Sequence, residues 1–411
     1  MSRAAYIASA VRTPIGKFGG ALADLSAADL GVLVVRAALE RAFGVAPVER
    51  SPGERTVSSI SPLPCRVHEL IFGNARAAGV GPNLARQIAW RAGLGDDVPG
   101  FTVNMACASS LRAILLGWQQ IVQGEADVVV VGGAESMSRV PYLVDARWGM
   151  KMGHQPLVDA MYRDGFLCPI SQMVMGETAE LLAEEYKIPR AEQDALALES
   201  HQRAAQAAEQ CHFRAELVPV HKTDRKGGRI EVCKDEHIRP DITFEGLGKL
   251  PPVFSRTGTI TAGNSSGITD AAAALVLVSE ARLADLPTGP LARIVDATVA
   301  ALEPHRMGVA PVPAIRRLEQ RTGTRLADYD VVELNEAFAA QVLACDRELH
   351  FDRERLNPNG GAIALGHPIG ATGARITGTL VHELRRRRAR HGLATLCVSG
   401  GLGVALAVES V

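Results

Sequence analysis

Asp127-Val128-Val129-Val130-Val131-Gly132-Gly133 and Ala394-Thr395-Leu396-Cys397-Val398-Ser399-Gly400-Gly401 are two short apolar runs, each ended by glycine. Runs of this length and continuity suit strands buried on both faces of a sheet. Each follows a helix-like stretch, Ser109 to Gln123 in the first case and Gly373 to Arg390 in the second. The correspondence extends upstream. Phe101-Thr102-Val103-Asn104 leads into the small-residue turn Cys107-Ala108-Ser109-Ser110, then a helix, then the valine run. Leu356-Asn357-Pro358-Asn359 leads into a glycine-rich turn holding His367, then a helix, then the Cys397 run. Ala5-Tyr6-Ile7-Ala8-Ser9-Ala10 likewise has a counterpart in Ala292-Arg293-Ile294-Val295-Asp296-Ala297. The expected organisation is a duplicated α/β half, the repeats beginning near residues 4 and 292.

The middle of the chain differs. Residues 140–266 hold the helix candidates Thr178–Lys187 and Glu192–His212 and a polar stretch from His221 to Glu236, which together suit an insertion on one half. Residues 46–66, rich in Pro, Ser and Arg, are expected to be a solvated surface loop. The Arg385–Arg388 run with Arg390 ends a helix just before Gly392. Cations favour that end of the helix dipole and glycine caps such turns, so the run is expected to be structural rather than a binding patch.

A chain of 411 residues exceeds one ordinary core. The balance of 47% hydrophobic and 22% charged residues is that of a globular protein, and a net charge of −1 gives no electrostatic reason to expect nucleic-acid or membrane binding. The seven cysteines are odd in number, with no C-x-x-C pair and no zinc spacing. A reduced, cytoplasmic compartment and no metal are therefore expected. Neither a secretory leader, nor a peroxisomal C-terminal address, nor an apolar run of about 18 residues is legible.

Four segments carry chemistry. Cys107 lies at a strand-to-helix turn, where the helix N-terminus favours a thiolate and small neighbours leave room for a substrate. His367 lies in Asn359-Gly360-Gly361-Ala362-Ile363-Ala364-Leu365-Gly366-His367-Pro368-Ile369-Gly370-Ala371-Thr372-Gly373-Ala374-Arg375. Five glycines between Gly360 and Ala374 exceed any helix or strand need, and a histidine displayed there is a candidate base for a thiol. Cys397 ends a buried strand, and the following Val398-Ser399-Gly400-Gly401 can turn backbone N–H groups toward a substrate oxygen. Asn335 follows Asp330-Val331-Val332-Glu333-Leu334, either as a hydrogen-bonding group at a strand end or as the start of the next helix.

These segments, in this order, closely resemble the thiolase family over nearly the whole chain. The resemblance includes Val11-Arg12-Thr13-Pro14, Ala134-Glu135-Ser136-Met137-Ser138, Gly258 to Gly267, and Met307-Gly308 leading to Pro311-Val312-Pro313-Ala314. It implies an α/β fold of duplicated halves in five layers, αβαβα, with an inserted loop domain. The halves would span 1–139 (completed by about 267–290) and 291–411, with the loop and CoA-binding domain at 140–266. It implies Cys107 as nucleophile, His367 as its activator, Cys397 as acid or base at the substrate α-carbon, and Asn335 with His367 in an oxyanion hole. A second hole falls on the N–H groups of Cys107 and Ser399. CoA contacts fall on Phe166, Met175, Arg239, Phe254, Ala262 and Ser266. Coenzyme A and acyl-CoA are then substrates, no cofactor is tightly bound, and a homodimer or homotetramer is expected.

Two departures from the family pattern bear on the site. Ser399 replaces the first of three glycines, which is tolerable if its backbone avoids positive φ. Ser110 stands where many members have glycine. With Met105-Ala106 these lean toward longer 3-ketoacyl chains, whereas Asn335 and the Lys151–Met175 loop lean toward acetoacetyl-CoA, so chain length stays open. An acyl-carrier-protein condensing enzyme would need two histidines and no counterpart of Cys397. A non-catalytic acyl-CoA binder would not need all four residues.

Overall fold

The computed structural model describes residues 3–54, 62–223 and 227–411. The first half contains β1 (Ala5–Arg12), α1 (Ala27–Phe43), β2 (Glu69–Gly73), α2 (Leu84–Arg91), β3 (Gly100–Val103), α3 (Ser109–Gln123) and β4 (Val128–Ser136). Two long helices follow, α4 (Met175–Glu185) and α5 (Arg190–Glu209), and then β5 (Thr269–Ser279) returns to the sheet. The second half contains β6 (Ala292–Ala301), α6 (Pro311–Thr322), β7 (Val331–Leu334), α7 (Ala339–Leu349), α8 (Thr372–Arg387), β8 (His391–Val398) and β9 (Leu402–Ser410).

The main sheet runs β7-β8-β9-β6-β1-β5-β4-β2-β3. It reads as the same strand order twice. β3-β2-β4-β5-β1 in the first half matches β7-β8-β9-β6 in the second, where Leu356 bridges Val332 in parallel as the missing edge. The two starts of the repeat are also its seam, since Tyr6 pairs with Arg293 and Ile7 with Ala292, antiparallel.

Side-chain alternation divides the core into layers. Val128 and Val130 of β4, with Ala272, Ala274, Val276 and Val278 of β5, face α1 and α2. Val129 and Val131, with Leu275 and Leu277, face α3 and α8 instead, where they meet Leu396, Val404 and Leu406 of the second half. Leu393, Ala405 and Ala407 point the other way, against α6 and α7. The order is therefore helices, sheet, central helices α3 and α8, sheet, helices. All four valines of β4 are fully buried, each worth roughly 1.5–3 kcal/mol relative to exposure.

Some local expectations are corrected. The valine strand does not stop at Gly132-Gly133 but continues to Ser136. Its glycines serve close approach: a Cβ on Gly132 would sit 2.2 Å from the Ala273 carbonyl, and one on Gly133 2.1 Å from the Gly370 carbonyl. The helix bearing Arg385–Arg387 is capped by Arg388 itself in the left-handed region, at φ 54°, while Gly392 lies inside β8. Arg386 and Arg387 bond the Glu383 carboxylate, which burial elsewhere would leave costly. Residues 55–61 of the 46–66 stretch lie outside the described residues, and the described part is not all solvated. Arg50 is buried over the Trp90 ring and paired with Asp96 at 2.7 Å.

The 140–266 stretch is tied to the first half by charge. Arg12 is 2% exposed, bonded to Glu216 at 2.6 Å and to both oxygens of Asp235 at 2.7 and 3.0 Å. Removing one member of such a buried set costs ~3–5 kcal/mol, because the remaining charge is stranded. Among the described residues no helix is long and apolar enough to cross a membrane.

Candidate active site

The chemistry-bearing residues sit at or just beyond the carboxyl ends of strands, where open α/β sheets place their clefts. β3 delivers Cys107, β7 delivers Asn335 and β8 delivers Cys397. A cavity of about 300 Å³ is lined by Cys107, His367, Cys397 and Ser399 together with Phe166, Met175, Phe254 and Ser266. Eight of the eleven residues expected at the site thus share one wall. Asn335 is buried next to it, without lining it. Arg239 and Ala262 are exposed and also lie outside the cavity lining.

The Cys107 turn is locally strained and held from both sides. Ala106 has φ +43°, which costs a non-glycine residue on the order of 1 kcal/mol. Its N–H donates to Asn104 Oδ1 at 3.0 Å, the Ser109 hydroxyl donates to its carbonyl at 2.7 Å, and Met105 N–H donates back to Ser109 Oγ at 2.9 Å. The sulfur so displayed is half-buried. Backbone N–H groups of Ser399 and of Cys107 itself favour its charged form. Ser399 is not among the residues with positive φ, whereas Gly400 and Gly401 take φ +89° and +84°. Serine therefore fits the first position of this turn at no backbone cost.

Burial pushes the Cys107 thiol up, against the attraction of Arg76 and the two N–H groups. The helix N-terminus alone, expected to favour a thiolate, is outweighed by desolvation. His367, 7% exposed, is driven in the opposite direction, down to about 3, by burial and the nearby Arg375 and Arg76. The resting pair is a neutral thiol and a neutral imidazole. The tautomer is fixed by the loop. Thr372 Oγ1 donates to the Pro368 carbonyl at 3.0 Å, so it accepts from His367 Nδ1–H at 2.7 Å. Nε2 is then an unprotonated acceptor, and it has no partner among the described residues. Cys397 is 1% exposed and its thiol is pushed far up by burial and by the proximity of Cys107. Both polar atoms of the Asn335 amide are likewise buried without partners. Polar atoms aimed at nothing in a native interior mark places for water or ligand.

Two buried glutamates, which no spacing rule singled out, brace the His367 loop. Glu135 accepts from Asn74 Nδ2 and from the N–H groups of Ala75, Arg76 and Gly370 at 2.7–3.0 Å. Glu336 accepts from Ser200 Oγ, Asn357 Nδ2 and Ile363 N–H. One glutamate comes from each half, so the loop is referenced to both. Ser110 adds a further link, its hydroxyl accepting from Ala374 N–H at 2.9 Å, and a Cβ on Gly373 would meet Leu111 N at 2.4 Å. The N-termini of α3 and α8 thereby pack directly together. Arg76, also absent from the sequence reading, lines the cavity; its position in Asn74-Ala75-Arg76 after β2 offers no motif to find it by.

Two thiols and a tautomer-locked imidazole sharing one cavity are the groups that a thiol-dependent α/β enzyme needs. Residues 53–281 match the N-terminal domain of thiolase and residues 288–410 its C-terminal domain. The acetyl-CoA acetyltransferase of Escherichia coli (strain K12) is 47% identical over 405 residues, covering 98% of each chain. The solved acetyl-CoA acetyltransferase of Bacillus anthracis superposes with a TM-score of 0.92 at 43% identity, covering 100% of this chain and 99% of that one. Human mitochondrial 3-ketoacyl-CoA thiolase in complex with CoA gives a TM-score of 0.90 at 40% identity, covering 100% and 98%. The chain belongs to the thiolase family.

Proposed function

We propose that this enzyme cleaves 3-ketoacyl-CoA with CoA, and in reverse condenses two acyl-CoA molecules, by a ping-pong route through an acyl-Cys107 intermediate. The observation that carries the reading is the single cavity that Cys107 shares with His367, Cys397 and Ser399. As substrate binds, His367 Nε2 takes the Cys107 proton while the sulfur attacks the keto carbonyl, so the thiolate exists only as it reacts. The N–H groups of Cys107 and Ser399 stabilise the oxyanion formed there. Cys397 exchanges the proton at the α-carbon, and the thioester oxygen of the enolate faces Asn335, through a water on its free amide, and His367. No step draws on a metal or redox cofactor.

Phe166, Met175, Phe254 and Ser266 line the passage by which the pantetheine arm would enter, with Arg239 and Ala262 outside it for the nucleotide. Among 3-ketoacyl chains that end in a methyl group, acetoacetyl-CoA is favoured over longer ones by the acetyltransferase relatives. We further assign 1–139 with about 267–290, 140–266 and 291–411 as the two halves and the inserted domain. Seven free cysteines suit a reducing, cytoplasmic setting. Trp148, Met152 and Leu157, exposed together on one loop, suit a dimer or tetramer, which light scattering would report as two or four chain masses.

Acetoacetyl-CoA plus CoA should yield acetyl-CoA, and Cys107→Ala should abolish it; full turnover by that variant would sink the proposal. Cys397→Ala should still acquire an acyl group on Cys107 from acyl-CoA, seen by mass spectrometry, yet fail at condensation. If it cannot be acylated, the division of labour between the two thiols is wrong.

A further inference from the structure

We infer that Arg76 makes this site selective for 3-oxoacyl thioesters whose acyl chain ends in a carboxylate. The inference rests on the thiolase reading and names the substrate class within it.

Arg76 lines the same cavity as Cys107 and His367, yet its side chain is only 6% exposed. Its single hydrogen bond is a weak one, from Nη1 to the Asp164 carbonyl at 3.5 Å, and its Nε is buried without a partner. Among the described residues no carboxylate lies within ion-pair distance of it. The two carboxylates in its field offset its charge through space but give its side chain no hydrogen bond. Glu135 accepts four donors, three from backbone N–H groups, and Asp164 is held by Arg163 at 2.7 and 2.9 Å. A buried guanidinium left in this condition is expensive unless something else completes it.

The group is also held rigid. Its Cζ lies 5.7 Å from the Phe166 ring centroid, and a Cβ on Gly165 would fall 2.5 Å from both Cζ and Nε. Gly165 and Phe166 therefore grip the planar group, and a side chain at 165 would expel it. A fork fixed in this way is suited to a planar two-oxygen acceptor.

Its place in the cavity says which part of a substrate it meets. Cys107, Phe166 and Ile268 pack into one apolar cluster with Met161 and Ile369, whereas Met175 and Phe254 pack with Cys397 in another. Arg76 lies over the Phe166 ring of the first, the cluster that also holds Cys107. Among the charges acting on Cys107 it is the strongest, and it acts on His367 too. The phosphates of CoA, by contrast, would lie toward the exposed Arg239 side. An acyl chain leaving Cys107 on the Ile268 and Ile369 side, away from the pantetheine passage, would bring its terminus to the guanidinium, and a carboxylate there satisfies Nε.

The test compares kcat/KM for thiolysis of 3-oxoadipyl-CoA, as the dicarboxylic probe, with that of acetoacetyl-CoA. The wild-type enzyme should prefer the dicarboxylic probe by at least ~10-fold, the worth of a charge-assisted bond. Arg76→Met should lower that preference about 100-fold, chiefly through KM for the dicarboxylic substrate, and Arg76→Lys should restore part of it. A wild-type preference at or below unity overturns the inference without needing any variant. Parallel loss on both substrates in Arg76→Met, with the preference kept, also overturns it and makes Arg76 a stabiliser of the Cys107 thiolate. Turnover of neither probe by wild type would instead refute the thiolase reading on which the inference stands.

Discussion

Replacing Gly133 by alanine tests whether the valine strand positions His367, the proposed base. The added Cβ would lie 2.1 Å from the Gly370 carbonyl oxygen and 2.8 Å from Ser110 Cβ. Real Cβ contacts essentially never fall below 3.0 Å, so the backbone of the His367 loop must retreat by about 0.9 Å. It cannot do so freely, because Gly370 N–H is bonded to Glu135 at 2.7 Å and Ala374 N–H to Ser110. Overpacking of this kind costs ~1–3 kcal/mol of stability. A misplacement near 1 Å in a catalytic group costs about 100-fold in rate. Gly133→Ala should therefore fold, lose ~1–3 kcal/mol in urea unfolding, and show kcat for acetoacetyl-CoA thiolysis reduced about 100-fold. Gly378→Ala is the control. It lies inside α8 with only Ala10 Cβ nearby, at 3.7 Å, and should gain ~0.4–1 kcal/mol with normal kinetics. A Gly133→Ala enzyme with wild-type kcat would refute the claim that this strand sets the loop.

Because His367 is held near 3, it is a neutral base throughout pH 5–7, and kcat/KM should show no acid limb at the ordinary histidine value. Iodoacetamide labelling of Cys107 should instead climb past the ordinary cysteine range, since burial raises that thiol; a flat labelling profile from pH 5 to 8 would mean a preformed ion pair. The same histidine binds a proton more readily when unfolded, so it contributes stability above about pH 6.5 that is lost as pH falls toward 3, a trend His367→Gln should flatten in denaturant titrations. Thr372→Val removes the acceptor that holds Nδ1–H and should lower kcat ~10–100-fold, with Thr372→Ser recovering most of it; equal losses in both would deny the tautomer role. Arg386→Gln with Arg387→Gln should leave both KM values unchanged, because these side chains answer Glu383 rather than ligand, and a large rise in KM for CoA would reverse that reading.

How far the sequence reached can be seen residue by residue. Helix α3 was legible to its ends, Ser109 and Gln123, because its apolar spacing and following glycine are local signals. The helix after Pro189 was expected from Glu192 to His212 and runs from Arg190 to Glu209, the ordinary slack of boundaries without strong caps. Gly132 and Gly133 read locally as a strand end, since nothing nearby in the chain reveals that two carbonyls from distant segments press against them. Cys107, His367 and Cys397 were legible because their flanking small residues are anomalous for any core. Glu135, Thr372 and Arg76 were not, because an acid, a hydroxyl and a cation draw their roles from partners 5 to 235 positions away.

By itself, then, the sequence determined the duplicated α/β halves and singled out Cys107, His367, Cys397 and Asn335 as the candidates for the chemistry. Alternation, glycine placement and small-residue turns are written along the chain and act over a few residues. Only the tertiary structure decided how those side chains are charged and what they face. Burial, which is a property of the assembled layers, reversed the expected Cys107 thiolate into a neutral thiol beside a neutral His367. It also left one cation, Arg76, in the acyl end of the cavity with no carboxylate of its own chain within ion-pair distance among the described residues.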